Sequence, residues 1–510
     1  MLVWVIFGMF QEIPQGNVSG HLRSSLGAVL CLLLSGLVFA VPRSDPRTES
    51  HVPEVSRPDI IFVETPVTAF GPLLRRFPQG SRLARLRAQA NSKSSVILTP
   101  EFFAAADPQI SYDGARVLFS GQKDSKASWQ IWEMQADGSN KRQVTSCVND
   151  CLRAAYLPDE EIVFTSVERS REHPASYLAV SRSDGSQAHR ITFGPADFQV
   201  ETVLRDGRIL ASAPWPLTAT RETSESRQFY ALRPDGTALE SFRCDHTKPM
   251  IQTGAEELDD GSLVFVESSQ AGDAKGGALF TIRRGAKQAS ALSPADMLFW
   301  SARRLTSNSL LVANLRSTPL GSPARFDLFV FDLTRNALGE SIYSAAPFSS
   351  VQAVPVIAAA APKRLWSTLN HEAKEGYFIA LNSYLSTADP NGRIPTPIAK
   401  VRVHTLEPRT GSERELGNAP VEEDGSFYLA VPADQPVRFE LLDASGKTIR
   451  AERSWIWARP GEQRGCSGCH ADKALSPENH WPLTFKRLDT PIHLRGTAHA
   501  AAPTTGGTNP

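Results

Sequence analysis

Along residues 108–192 the apolar and polar positions follow one plan twice over. "PQISYDGARVLFSGQKDSKASWQIWEMQADGSNKRQVT" and "RAAYLPDEEIVFTSVERSREHPASYLAVSRSDGSQAHRIT" share it. In each, an Asp-rich turn runs into a short apolar strand, the chain loops out, and an alternating strand leads to an Asp-Gly turn. The plan recurs, more worn, in "VETVLRDGRILASAPWP", in "GAEELDDGSLVFVESS" and in "ARRLTSNSLLVANLRS" with the segments that follow each. The apolar strands fall at Val117–Ser120, Ile162–Thr165, Arg208–Ala211, Leu263–Val266 and Leu310–Ala313; Ile131–Gln135 and Tyr177–Ser181 are alternating partners. A period of two turns one face of each strand to a core.

Four short strands per unit of about 45 residues leave each unit with a face that only a neighbour can cover. Radial stacking round a central channel supplies the neighbours and leaves no long edges. The pattern therefore predicts an all-β chain built on a β-propeller. "RPDIIFVET" and "SRLARLRAQANSKSSVILTP" read as parts of one more blade, which makes six. The count becomes seven if "APKRLWSTL" and "GYFIALNSYL" pair within the ring.

The signature P-x-x-S-x-D-G-x-x-[IV]-x-F-x-S followed by D-G-S-x-x-x-x-[LIV]-T resembles the TolB-type, or WD40-like, repeat over about residues 106–343. The repeated Asp residues raise the question of calcium, but Asp before Gly caps its own turn, and that is the stronger reading. Cys147 and Cys151 have no His at ligand spacing beside them. They read as a local disulfide or two inert thiols rather than a metal site.

Past about residue 350 the pattern changes. Phe427, Leu429 and Val431 alternate with Tyr428 and Ala430, and Phe439, Leu441 and Asp443 continue the scheme. Such runs between Pro and D-G turns predict a small β-sandwich. The expected organisation is a signal peptide at 1–40, a linker at 41–57, the propeller at 58–348, a β-rich domain at 349–485 and a disordered tail at 486–510.

Composition adds exclusions. Lys+Arg and Asp+Glu both number 54, so no net field draws the chain to nucleic acid or to an acidic membrane surface. No nucleotide-binding Gly loop and no parallel α/β unit occurs. The N-terminus carries Arg23, an apolar run from Leu26 to Ala40, and small residues Val38 and Ala40 before a polar exit. That is the layout of a cleaved secretory leader; its 15 or so apolar residues fall short of the roughly 20 a spanning helix needs. The stretch before it, "MLVWVIFGMFQEIPQGN", reads as lying upstream of a start at Val18, and Cys31 lacks the context of a lipid-modified cysteine. The expected location is the periplasm or the exterior. Cys244 is left without a partner once Cys31 departs with the leader.

The chemistry sits in "RPGEQRGCSGCHADK", residues 459–473, with Cys466, Cys469 and His470 in C-x-x-C-H spacing. Chance would produce that spacing only about 0.0015 times in a chain of this composition. Two thiols can close thioether bonds to haem vinyl groups while the adjacent His becomes an axial ligand of the iron. Zinc with His480 as a further ligand, and a disulfide beside a bystander His, are the competing readings; an oxidising compartment favours covalent haem over zinc. One haem c is the expected cofactor. No Met follows Met297 and no Tyr follows Tyr428, so the candidates for the second axial ligand are His480, His493 and His499, with His480 preferred as the nearest. Arg459 and Arg464 either pair with haem propionates or face solvent.

The run "VEEDGSFYLAVPADQPVRFELLDASGKTIRAERSWIWARPGEQRGCSGCHADK" resembles the middle domain of the hydrazine synthase alpha-subunit family, over roughly residues 370–485. The resemblance implies a propeller ahead of a β-rich domain that carries a covalent haem, here at Cys466, Cys469 and His470. In that family a further domain with a second haem motif follows, and a Tyr ligand stands close behind the motif of the catalytic haem. Ala474 and its neighbours supply no Tyr. The haem-attachment residues are therefore expected to carry over and the N–N bond-forming site is not.

The expected function is an exported monohaem protein that passes electrons, with the propeller as docking surface for a redox protein partner. A haem oxidoreductase acting on a small nitrogen compound, and a binding scaffold with a structural haem, are the alternatives. The second axial ligand separates them: bis-His ligation favours electron transfer, and an open iron favours catalysis.

Overall fold

The structure, a computed structural model, describes residues 57–66, 77–88, 94–168, 175–218, 226–243, 250–268, 276–286, 288–316, 324–407, 410–469 and 479–496. All lie in one compact unit, Ser56–Pro510. The expected signal peptide and nearly all of the linker lie outside the described residues. So do Cys31, Cys244, His470, His499 and residues 497–510.

Six four-stranded blades stand round a central channel. Their innermost strands are Ala104–Ile110, Cys151–Leu157, Gln199–Val203, Ile251–Glu257, Phe299–Thr306 and Phe348–Pro355. Neighbouring inner strands touch all the way round. The ring closes where Phe348–Pro355 pairs antiparallel with Ile60–Pro66, Val354 opposite Ile61 and Val351 opposite Val63. The first blade is thus made from both ends of the propeller, completed outward by Arg82–Leu86 and Ser95–Ile97. A single parallel bridge, Arg227 to Ile251, joins the fourth and fifth blades into one sheet.

Two expectations change here. The propeller runs to Pro355 rather than 348, because the closing strand belongs to the first blade. Among the described residues the ring has no seventh blade: 361–369 form no strand, and Glu375–Ala380 pairs inside the second domain.

Each inner strand carries a register shift against its partner at the same level of the ring. Asp107, Arg153, Gly254 and Gln352 take left-handed backbone there, with φ of 55°, 50°, 65° and 50°. At a non-glycine residue that conformation costs roughly 1–2 kcal/mol, and here the neighbouring blade offsets it. Asp107 N–H donates to Gln352 Oε1, Arg153 N–H to Ser120 Oγ, Gly254 N–H to Glu201 Oε2 and Gln352 N–H to Ser301 Oγ. Ser120 Oγ in turn donates to Asp107 Oδ2, and Arg153 pairs with Glu201 at 3.5 Å. The result is a polar belt that narrows the channel to a cavity of about 80 Å³.

From Pro355 the chain crosses one mouth of the channel as an extended strap. Val356 N–H donates to Asp59 O, Ala359 N–H to Tyr112 O and Lys363 N–H to Arg205 O. Strap and inner strands line a cavity of about 730 Å³ that is open to solvent. Gly207, with φ 90°, lies so close that a Cβ there would stand 2.1 Å from Lys363 O.

The Asp residues before Gly in the repeats cap their turns as expected, and Asp332 and Asp443, which precede no Gly, do the same. Asp137 Oδ1 accepts from Ser139 Oγ and N–H, Asp332 Oδ1 from Thr334 and Asp443 Oδ1 from Ser445 in the same way, and Asp184 Oδ1 accepts from Ser186 N–H. The Ser or Thr hydroxyl, then backbone N–H groups, hold all four carboxyls below the usual carboxylate range. A carboxyl whose folded value is depressed stabilises above its unfolded value of about 3.9 and loses that contribution as pH falls through the folded value. The thermal midpoint should therefore be insensitive to these groups near pH 7 and drop below about pH 4. Changing the four to Asn, which keeps an acceptor without the titration, should shrink the acid drop; an unchanged drop would remove these turns as its source.

The second domain is the expected β-sandwich. One sheet has the order Gln463–Cys466, Glu375–Ala380, Phe427–Pro432, Ile492–His493. The other has the order Glu413–Pro420, Lys400–Leu406, Val437–Leu442, Thr448–Ala451. Phe378, Leu429 and Val431 from the first face Val401, Val403 and Leu441 from the second in a single core. The domain extends beyond residue 485. Ile492–His493 pairs with Phe427–Pro432 and Leu494 enters the core, so 486–496 belong to the fold rather than to a tail. Among the described residues no helix is long and apolar enough to cross a membrane.

Candidate functional site

Gln463–Cys466 is an edge strand, parallel to Glu375–Ala380, with Cys466 opposite Ala380. Leu381 N–H donates to Cys466 O at 2.9 Å and Cys469 N–H donates to Leu385 O at 3.0 Å. The loop Leu381–Leu385 therefore holds both ends of the C-x-x-C turn. Both cysteines pack against the sandwich core, and neither is in a disulfide, whereas Cys147 and Cys151 are bonded to each other. Burial pushes the Cys466 thiol up and the Cys469 thiol to about 11. Thiols so raised are protonated at neutral pH, which is unlike the exposed, low-value thiolates of redox dithiols.

His480 stands with its Nε2 3.3 Å from Asp424 Oδ2, which also accepts from Leu483 N–H. Burial pushes the Asp424 carboxyl up, but hydrogen bonds from Ser426, Leu483 and His480 outweigh it and leave the group below its usual range. Register places this pair at the thiol end of the sheet. Cys466, Ala380 and Phe427 form one row, and Asp424 lies in the turn just before Phe427. A Cβ on Gly425 of that turn would come within 2.8 Å of Asn382, Ser383 and Tyr384, in the loop that brackets the thiols.

His493 lies elsewhere. Its row is Tyr377, Ala430, His493, three residues along and three strands across from Cys466, or about 10 Å by 14 Å. Its Nδ1 is 2.8 Å from Glu375 Oε2. The structure thus brings His480, and not His493, to the end of the sheet where the thiols are. Among the described residues no group of three or more His, Cys, Asp or Glu side chains is arranged to hold a metal ion.

Both arginines are held by protein acceptors. Arg464 donates through Nη1 to Trp457 O at 2.6 Å and through Nη2 to Leu239 O at 2.8 Å. Arg459, 5% exposed, donates to Arg190 O at 3.2 Å and lies over the Phe193 ring. Both guanidiniums bind propeller carbonyls or the segment docked there; Arg459 is buried rather than solvent-facing and Arg464 is half-buried.

Residues missed by the sequence reading surround them. Trp457 is fully buried, not in the sandwich but in the propeller core between the third and fourth blades, edge-on to Phe198 at 5.7 Å. The W-I-W alternation signalled burial without naming the partner. Ser383 is 2% exposed and its hydroxyl has no hydrogen-bond partner among the described residues. Trp481, Phe485 and Leu488 are exposed; Phe485 touches both Tyr428 and Trp481.

These features fit a covalently held haem. Two free cysteines lie three residues apart on a fixed turn, Gly465 beside them has open space where a Cβ would be, and the Ser383 hydroxyl in the bracketing loop is unmatched among the described residues.

Fold and site define a class: a six-bladed propeller docked on a β-sandwich whose edge strand presents a C-x-x-C pair. Residues 394–471 match the family described as hydrazine synthase alpha subunit middle domain. Over 101 residues the chain is 35% identical to hydrazine synthase subunit alpha of Kuenenia stuttgartiensis. That match takes in 19% of this chain and only 12% of the relative, about an eighth of its length. In three dimensions the hydrazine synthase of Kuenenia stuttgartiensis superposes with a TM-score of 0.74 at 20% identity, covering 84% of this chain and 71% of that one. The fold is therefore shared across propeller and sandwich together. TolB from Acinetobacter baumannii covers 58% of this chain and 66% of its own, with a TM-score of 0.40 and 11% identity.

Proposed function

We propose that the protein carries one haem c, attached through Cys466 and Cys469 with His470 as axial ligand, and passes electrons to or from a protein partner. The observation that carries the reading is the pair of free thiols packed on a fixed turn in C-x-x-C-H spacing. The likeness of 394–471 to the middle domain of a hydrazine synthase subunit supports it. His480 is the proposed second ligand: it lies at the thiol end of the sheet, and its bond to Asp424 through Nε2 orients the ring and leaves Nδ1 open. When bound, haem supplies a one-electron iron couple. The chain's own contribution is to hold two sulfurs in place, to keep them protonated by burial, and to orient an imidazole with a carboxylate. Formation of an N–N bond is not part of the proposal, since neither Ala474 nor its neighbours in sequence is a tyrosine. Export to an oxidising compartment is part of it, supported by the Cys147–Cys151 disulfide.

The test is a pyridine haemochrome on protein exported from a host with haem-attachment machinery. The expected result is one c-type haem per chain that survives acid extraction, lost as covalent haem in Cys466→Ser with Cys469→Ser. Carbon monoxide should leave the reduced spectrum unchanged in the wild type and bind in His480→Ala. A colourless wild-type protein would overturn the haem; carbon monoxide binding to the wild type would overturn His480 as ligand and favour a catalytic iron.

A further inference from the structure

One propeller hairpin, Arg233–Leu239 of the fourth blade, receives the segment that leads into the thiols. Trp457 Nε1–H donates to Gly236 O at 3.3 Å, and Arg464 Nη2 donates to Leu239 O at 2.8 Å. Ala238 N–H donates to Glu462 Oε1 at 2.8 Å, while the other oxygen of that carboxylate accepts from Arg459 N–H. The end of the strap grips the same hairpin: Thr368 N–H donates to Asp235 Oδ2 and Arg233 Nη2 to Trp366 O.

Arg464 differs from the rest of these contacts in where it sits. It lies on the edge strand itself, two residues before Cys466, opposite Phe378, with its guanidinium 5.7 Å from that ring. An edge strand paired on one side only is free to shift unless something holds its other side. Here the planar fork of Arg464 holds it, with one arm to Trp457 O and the other to Leu239 O. A guanidinium fills both acceptors at once from a fixed plane, and an ammonium does not.

We propose that Arg464 is a positioning residue that ties the thiol-bearing strand to the Arg233–Leu239 hairpin, so that the propeller sets where Cys466 and Cys469 present their sulfurs. Its importance for redox chemistry rests on the haem reading above; its grip on the thiols does not. The propeller is on this account a wall of the cofactor domain as well as a surface for partners.

The experiment uses the full chain with Arg464→Lys, and with Glu462→Gln as a second variant should the first not fold. In haem-free protein, iodoacetamide labelling of Cys466 and Cys469 is followed residue by residue by mass spectrometry. Labelling is expected to run roughly tenfold faster in Arg464→Lys, as openings that expose the thiols become more populated. In haem-loaded protein the midpoint potential and the Soret circular dichroism should shift from wild type at equal haem content. Unchanged labelling, potential and dichroism in a folded variant would overturn the proposal. Faster labelling with no haem in the wild type would keep the positioning role and sink the haem reading instead.

Discussion

Trp457→Ala is expected to destabilise the protein by ~3–5 kcal/mol, the range for emptying a buried tryptophan site. The indole is fully buried against Phe193 and Phe198, and its N–H is bonded to Gly236 O. Its loss leaves a void in the propeller core and removes a large side chain that the second domain inserts there. Two domains that shared a core residue then meet through contacts such as Arg459 over the Phe193 ring and Arg464 to Leu239 O. The expected signature is an early transition in chemical denaturation, absent from the wild type, together with faster proteolysis of the strap around residues 361–369. A change below about 1 kcal/mol would place the indole among ordinary surface contacts.

Val351→Asp is expected to have a comparable effect by a different route. Val351 is fully buried on the closing strand, opposite Val63 in the core shared by the first and neighbouring blades. A carboxylate there has no partner, and an unpaired charge in an apolar site costs several kcal/mol. The strand it sits on is the one that joins the two ends of the ring. Opening should expose Ile60–Pro66 as a long apolar edge, so loss of soluble protein is expected where Val351→Ala stays soluble with a modest drop in midpoint. An Asp variant that unfolds at the wild-type midpoint would show that the clasp does not govern ring stability.

The blades were legible in the sequence because they repeat a local pattern, a polar turn, in most units with Asp, followed by an apolar strand, and those strands fall second in their blades. The closing strand was not. "FSSVQAVP" follows no Asp-Gly turn of its own, and the three strands it completes lie at the other end of the propeller, so nothing local announces it. The polar belt was hidden for a related reason: Asp107, Arg153 and Glu201 look like scattered charges until the ring brings adjacent inner strands together. At the site, spacing disclosed Cys466 and Cys469, while the roles of Arg459 and Arg464 depended on a surface more than 200 residues away in the chain. A charge beside a loop looks solvated unless the docked domain is known. His480 was placed by proximity in sequence, and register puts it at the thiol end of the sheet for a different reason, the turn at Asp424.

The clasp also fixes an order of events during synthesis. Ile60–Pro66 emerges early, yet its inner partner, Phe348–Pro355, is among the last propeller segments to be made. Until then the strand has one bare edge, and the fold must be kept from pairing with other chains by whatever tends it. The sandwich follows the clasp directly in sequence, and its docking residues need a finished fourth blade. Completion of the ring and delivery of the thiols to their final place thus come at the end of the same stretch of chain, so a nascent protein cut short before residue 348 has neither a sealed propeller nor a site.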